Sequence, residues 1–383
     1  MLFTDEQIRQ ETDRLHEKLQ HVGFGRALCQ MFAPITLEIN TLKKERNAVI
    51  LAHSYQTPDI LYGIADYQGD SYQLSKNAQE TDADIIVFCG VRFMAETAKI
   101  LNPAKKVLLP SPAAGCSLAE AITAEDVRKL KKDHPGVPVV TYVNTTAEVK
   151  AEADACCTSA NALKILEAFP NESIIFIPDR YMAKNLQKLT TKKLITWNGS
   201  CIVHEEFSAS KITQFKHKYP GLKVLAHTEC APEVVEASDF AGGTNDMMKY
   251  VEKTEAPSYM LVTECGLNDR MRAEFPQKDF LGMCGLCPYM KQNTLGLILQ
   301  ALKNPKPEQV IELSEDVRKG AERSLLKMFE LNQKVPAGMG GFFRLWQKIT
   351  VSSFVIPKLS SSLNTNSSLF WMSMLSLRLF FSS

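Results

Sequence analysis

Val49-Ile50-Leu51-Ala52-His53 is an apolar run that ends in a histidine, and the chain repeats it twice, as Pro138-Val139-Val140-Thr141-Tyr142 and as Lys223-Val224-Leu225-Ala226-His227. The closing residues lie 89 and then 85 positions apart. Runs without polar alternation are the pattern of strands buried on both faces of a parallel sheet. Three further elements keep the same order and period. A small hydroxyl residue precedes a helical pattern in Gly69-Asp70-Ser71, Cys157-Thr158-Ser159 and Gly242-Gly243-Thr244, with spacings of 88 and 85. An apolar strand then leads to Arg and Met: Ile85-Ile86-Val87-Phe88 to Arg92-Phe93-Met94, and Ile174-Ile175-Phe176 to Arg180-Tyr181-Met182. The third copy, Met260-Leu261-Val262 leading to Arg270-Met271, is looser. Last comes a cysteine, Cys116, Cys201 and Cys287, at separations of 85 and 86.

Each unit therefore reads strand, helix, strand, helix, strand, which predicts a short parallel sheet covered by helices on both faces. The 383 residues exceed what one core supports. The expected architecture is α/β: three αβα sandwich domains related by pseudo-threefold symmetry, with the active site at their common interface. Residues 1–44 form a helical lead-in, with Thr4 and Gln7 as a capping box. The units span 45–130, 131–219 and 220–335, the last including a closing helix from Ser314 to Gln333 with Val317, Leu325, Leu326 and Phe329 as its apolar stripe. Residues 336–383 contain no Asp or Glu and many serines, and their apolar stretch is too short to span a bilayer. This tail is expected to be disordered or an altered version of the natural C-terminus.

The 44 basic and 43 acidic residues nearly cancel, so no nucleic-acid partner is expected. The N-terminus carries acids where a secretory signal carries basic residues, and no apolar segment follows. A cytoplasmic protein without a membrane partner is expected, and its ten cysteines read as reduced thiols and metal ligands.

In open parallel sheets, ligands bind beyond the carboxyl ends of the strands. Threefold equivalence would bring three such ends together, and one cysteine per unit would set three thiolates around the axis. Three thiolates suit an iron-sulfur cluster with one iron left without a protein ligand. Cys29, Cys89, Cys156 and Cys157 read as buried small hydrophobes. Cys284-Gly285-Leu286-Cys287 taken alone is also half a zinc site or a redox pair, although no second pair of ligands accompanies it. Residues two apart on a strand share a face. His53 with Tyr55, Tyr142 with Asn144, and His227 with Glu229 are thus one pair of positions in three copies, and His204 with Glu206 repeats the spacing beside Cys201. Ser71, Ser159 and Thr244 stand where helices should start, so each is either a plain cap or part of an anion site.

Several longer stretches resemble the quinolinate synthase family. They are Asn47 to Tyr55, Gly90 to Leu101, Tyr142-Val143-Asn144-Thr145, Thr158 to Ala162, Gly199 to Phe207 and Cys287-Pro288-Tyr289-Met290. The resemblance runs from about residue 46 to about residue 330. It implies a transferase or lyase-type enzyme of NAD biosynthesis that condenses iminoaspartate with dihydroxyacetone phosphate to quinolinate, phosphate and water. It also implies one 4Fe-4S cluster on Cys116, Cys201 and Cys287, with Cys284 not a ligand. By the same resemblance His53, Tyr55 and Glu229 are catalytic. Ser71, Met94, Tyr142, Asn144, Ser159, His204, His227 and Thr244, with His53, line the substrate site, and the repeated spacing beside Cys201 adds Glu206 to the expected substrate contacts. An enzyme that oxidises L-aspartate is the expected functional partner. Two departures fall in the third unit: His227-Thr228-Glu229 where the family usually has His-Pro-Glu, and Gly242-Gly243-Thr244-Asn245 where it usually has Gly-Ser-Thr-Ser. Two other readings of the residues stay open, an iron-sulfur hydro-lyase acting on a single hydroxy acid and a non-enzymatic iron-sulfur sensor.

Overall fold

Twelve strands in the computed structural model, which describes residues 2–334, form three separate four-stranded parallel sheets. The first contains β1 (Ala48–His53), β2 (Tyr67–Gly69), β3 (Ile85–Cys89) and β4 (Lys106–Leu108). The second contains β5 (Val139–Tyr142), β6 (Ala155–Cys157), β7 (Ser173–Ile177) and β8 (Lys193–Thr196). The third contains β9 (Lys223–His227), β10 (Phe240–Gly242), β11 (Tyr259–Val262) and β12 (Phe280–Leu281). The spatial orders are β2-β1-β3-β4, β6-β5-β7-β8 and β10-β9-β11-β12, so one topology is built three times. Helices flank each sheet, and the architecture is the expected set of three αβα sandwiches.

This topology matters for function. From the first strand of each unit the chain steps outward to the second, then crosses back to lay the third on the other side. The order reverses at the first strand, where neighbouring connections leave in opposite directions and open a crevice. His53, Tyr142 and His227 are the last residues of those three strands. All three strands are buried along almost their full length, which explains their uninterrupted apolar character.

The lead-in consists of helices Asp5–Leu19 and Arg26–Glu45, packed on each other and on the first unit. Thr4 and Gln7 make the expected reciprocal cap. The closing helix, Glu315–Lys334, lies on helices Ala147–Glu152 and Ala162–Ala168 and strand β6 of the second unit, with a further contact on helix Arg92–Leu101. A Cβ at Gly320 would stand 2.8 Å from that of Ala151, so the two helices meet there at a separation only glycine permits. This contact sets the rotation of the helix. Ala321, Leu325, Met328 and Leu331 are buried, and Leu326, expected on the apolar stripe, is 44% exposed. The tail beyond residue 334 lies outside the described residues. Among the described residues, no helix is long and apolar enough to cross a membrane.

Candidate active site

The three repeat cysteines occupy equivalent structural positions. In each unit the first residue of the helix after the third strand donates its backbone N–H to the carbonyl two residues before the cysteine: Arg92 to Ala114 at 2.8 Å, Arg180 to Gly199 at 2.9 Å, and Cys265 to Gly285 at 3.0 Å. Cys265 is therefore the third-unit counterpart of Arg92 and Arg180, not Arg270 as the sequence pattern suggested. Helix Cys265–Glu274 simply begins earlier than the Arg-Met pair implied.

Each sulfur also meets the same backbone. The N–H groups two and three residues further on, at Leu118 and Ala119, Val203 and His204, and Tyr289 and Met290, turn toward Cys116, Cys201 and Cys287 respectively. Burial pushes these thiols up, and the paired amides oppose it, as they would for a sulfur holding negative charge. The loops also interlock. Ser117 Oγ donates to the Ser200 carbonyl at 3.3 Å and accepts from the Ile202 N–H at 3.2 Å. A Cβ at Gly285 would lie 2.8 Å from Val203, and one at Gly115 would lie 3.3 Å from the Tyr289 ring. Each loop thus touches the other two, and all three cysteines line one cavity.

The free space of that cavity, counting the part open to solvent, is about 730 Å³. His53, Tyr55, Ser71, Met94, Tyr142, Asn144, Ser159, His204, His227, Glu229 and Thr244 line it together with the cysteines. No Lys or Arg does so among the described residues.

Glu229 is its electrostatic centre. The Tyr142 hydroxyl donates to Glu229 Oε1 at 2.5 Å, and His204 Nδ1 lies 3.0 Å from Oε2. His227 Nδ1 is 3.6 Å from Oε1, and its ring stacks on that of His204 at 4.6 Å. Burial alone would raise the Glu229 pKa, but the two imidazoles and the Tyr142 phenol outweigh it and hold the carboxyl at about 2. Burial drives His227 down to about 4, although Glu229 opposes this, and drives His53 down to about 3 with help from Arg270. Burial also raises Tyr55, against the hydrogen bonds from Thr244 and Thr263. At neutral pH Glu229 is accordingly a carboxylate, His53 and His227 are neutral imidazoles, and Tyr55 and Tyr142 keep their protons.

Ligand atoms of Cys201, His204 and Glu229 all lie within 4.8 Å of one another, so a metal could also meet this second donor set. For an iron-sulfur group, the thiols present fit: three equivalent, half-buried sulfurs, each backed by two amides, facing one cavity.

One residue assigned from spacing does not enter. Glu206 is exposed and off the cavity, because His204–Glu206 is a 3₁₀ turn rather than a strand, and residues two apart in such a turn face different ways. Ser159 lines the cavity from a turn that precedes helix Ala162–Ala168 rather than from its first residue. Asp70 caps helix Ser71–Glu80 by accepting from Gln73 N, leaving the Ser71 hydroxyl facing the cavity. Thr228, at the position usually held by proline, is fully buried and its hydroxyl has no partner among the described residues. Its neighbours His227 and Glu229 still reach the cavity.

Cys29, Cys89, Cys156 and Cys157 are buried free thiols, as expected. Cys265 and Cys284, however, form a disulfide, an exception to the general reading of the cysteines as reduced thiols and metal ligands. The sequence reading also missed Thr263, whose hydroxyl lies 2.9 Å from Tyr55 Oη and 3.0 Å from His204 Nε2, and so joins three units. Glu264 beside it was missed as well. The signal was available in the repeat, since Asp179 and Glu264 cap equivalent helices.

Comparison with known proteins agrees with this geometry. The family model described as quinolinate synthetase A protein matches residues 37–330. The chain is 48% identical over 320 residues to the quinolinate synthase of Sinorhizobium fredii (strain NBRC 101917 / NGR234), covering 82% of this chain and 88% of the relative. It is 51% identical over 286 residues to that of Xylella fastidiosa (strain Temecula1 / ATCC 700964), covering 74% and 84%. With that of Caulobacter vibrioides (strain NA1000 / CB15N) the identity is 46% over 334 residues, covering 86% and 90%. A match of this length, over all three units and every cavity-lining residue named above, means that the chain is an enzyme of the quinolinate synthetase A family.

Proposed function

We propose that the cavity condenses iminoaspartate with dihydroxyacetone phosphate, giving quinolinate, phosphate and two molecules of water, in the de novo route to NAD. The observation that carries this reading is the trio of equivalent, amide-backed sulfurs in the wall of a cavity that also holds the ionised carboxylate of Glu229. Cys116, Cys201 and Cys287 would hold a 4Fe-4S cluster, which when bound supplies a Lewis-acidic iron for the loss of hydroxide.

The protein's own groups have complementary tasks. Glu229, ionised and fixed by Tyr142 and His204, takes the proton from the carbon beside the imine and so makes that carbon nucleophilic. Tyr55, kept protonated by burial, donates to the ketone oxygen of the second substrate. His53 stands edge-on to its ring at 4.5 Å and, being neutral, accepts and returns a proton during ring closure. His227 fixes a substrate oxygen. Carboxylates and phosphate meet neutral donors, namely Ser71, Asn144, Ser159 and Thr244, along with the N-terminal amides of helices Ser71–Glu80 and Thr244–Lys253, while Tyr142 lines the same wall with its one proton held on Glu229. Met94 packs against the carbon skeleton. The reading carries with it a cytoplasmic location and a supply of iminoaspartate from an enzyme that oxidises L-aspartate.

The test is direct. Protein reconstituted anaerobically with iron and sulfide, given both substrates, should form quinolinate detectable by chromatography. Full iron and sulfide loading with no quinolinate would reject the proposal.

A further inference from the structure

Segment Thr263-Glu264-Cys265-Gly266 leaves strand β11 and meets residues of other units at Thr263 and Gly266. A Cβ on Gly266 would stand 2.6 Å from the Tyr55 carbonyl oxygen, so the segment lies flush against the backbone of the first unit. Glu264 is 1% exposed and lines the cavity. Its Oε2 caps the following helix by accepting from Gly266 N at 2.6 Å. Its Oε1 faces the other way, accepting from the Cys287 N–H at 3.2 Å and pairing with Lys291 Nζ at 3.0 Å. Lys291 Nζ in turn donates to the carbonyl of Tyr55.

A carboxylate that served only as a helix cap would need no lysine. A lysine that served only to neutralise it would have no reason to reach a carbonyl of another unit. We infer that Glu264 and Lys291 are positioning residues that fix Tyr55 relative to the Cys287 loop. The run from Cys287 N–H through Glu264 Oε1 and Lys291 Nζ to the Tyr55 carbonyl is an unbroken hydrogen-bonded path between the loop carrying the third sulfur and the residue whose phenol faces the substrate space. Flanking ties hold the loop on either side, with Arg270 donating to Ser54 Oγ and Gln56 Nε2 donating to the Met290 carbonyl at 2.9 Å. Lys291 is the tie on Tyr55 itself. The phenol sits between Thr263 at 2.9 Å and Thr244 at 3.2 Å, so a displaced carbonyl would pull it out of that arrangement. This inference rests on the proposed role of Tyr55.

The test compares wild type with Lys291→Met, with Glu264→Gln/Lys291→Met, and with each combined with Tyr55→Phe. The double variant removes both charges yet keeps an acceptor for the Cys287 N–H, so no lone charge is left buried. Three quantities are read: iron and sulfide content after anaerobic reconstitution, hydrogen exchange of residues 53–57 in the metal-free chain, and kcat with KM for quinolinate formation. The double variant should bind iron as wild type does. Its amides at 54–56 should exchange about tenfold faster while strand β1 stays protected. Its kcat should fall about 10- to 100-fold with KM nearly unchanged, as for a misplaced rather than a missing group. On a Tyr55→Phe background the same change should cost less than about threefold, because its effect would pass through Tyr55. Unchanged exchange, losses that multiply with Tyr55→Phe, or iron lost in proportion to activity would each overturn the inference. If the wild type made no quinolinate, the proposed function would fail, while the exchange result would still decide whether Lys291 fixes the loop.

Discussion

The Tyr142 hydroxyl and the Glu229 carboxylate meet at 2.5 Å, joining the second unit to the third in the cavity wall. With His204 on the other carboxylate oxygen, both lone-pair directions facing the protein are filled. Such a carboxylate is oriented rather than free to rotate, and its charge is kept by hydrogen bonds made to the ionised form. Glu229→Gln should therefore lower kcat by about 100-fold or more, as expected for loss of a base. Tyr142→Phe should cost about 1–3 kcal/mol in kcat/KM, the value of a hydrogen bond to a charged group. Steady-state kinetics under anaerobic conditions checks both. Near-normal turnover by Glu229→Gln would remove it as the base.

The shared surroundings of the three sulfurs make a prediction about metal content. Cys116→Ala, Cys201→Ala and Cys287→Ala should each lose most bound iron and all measurable quinolinate formation. Cys284→Ser, whose sulfur is tied to Cys265 rather than lining the cavity, should retain iron. Iron and sulfide analysis with visible absorption separates the two classes. A Cys284 variant without iron, beside a Cys116 variant that kept it, would reassign the ligands.

His53 sets a pH dependence of stability. Its buried imidazole has a pKa of about 3, well below the 6.5 of an exposed histidine, so between these values the unfolded chain binds a proton that the folded chain does not. Stability is thus complete above pH 6.5 and is lost as pH falls toward 3. By about pH 5 the loss from His53 amounts to about 2 kcal/mol. His53→Asn, which does not titrate, should show a shallower decline of its thermal midpoint from about pH 7 to about pH 5 than wild type. Parallel curves would mean that His53 is accessible to protons in the folded chain.

The period near 85 residues already exposed the fold, because each unit repeats its buried strands and its cysteine in the same order. Most cavity residues follow from it, since the ends of equivalent strands must face equivalent crevices. What the pattern missed depends on contacts between units. Thr263 and Lys291 matter only because Tyr55 and His204 come from other units to meet them, and no spacing within one unit encodes that meeting. Glu206 failed for a local reason, a strand rule applied to a 3₁₀ turn. The third helix was mis-registered because Cys265 occupies the place of an arginine, leaving Arg270 as the nearest look-alike.

Gly243 shows how a departure from the usual family pattern can alter the substrate space. Its φ of −79° is open to any residue, so glycine is not required there by the backbone. A Cβ at this position would nevertheless stand 2.6 Å from the Ser159 hydroxyl. The absence of a side chain lets Ser159, from the second unit, approach the start of helix Thr244–Lys253 and share the cavity wall with Thr244. In Gly243→Ser the obstacle is the tip of a short side chain, which can rotate away at small cost in stability. The displaced hydroxyl would then lose its aim at a bound anion. KM for the substrate it contacts should rise about three- to tenfold, with kcat within about twofold and a thermal midpoint close to wild type, the pattern of lost uniform binding. The reverse split, with kcat reduced and KM unchanged, would show that this contact tightens only in the transition state and that Ser159 belongs with Tyr55 and Glu229.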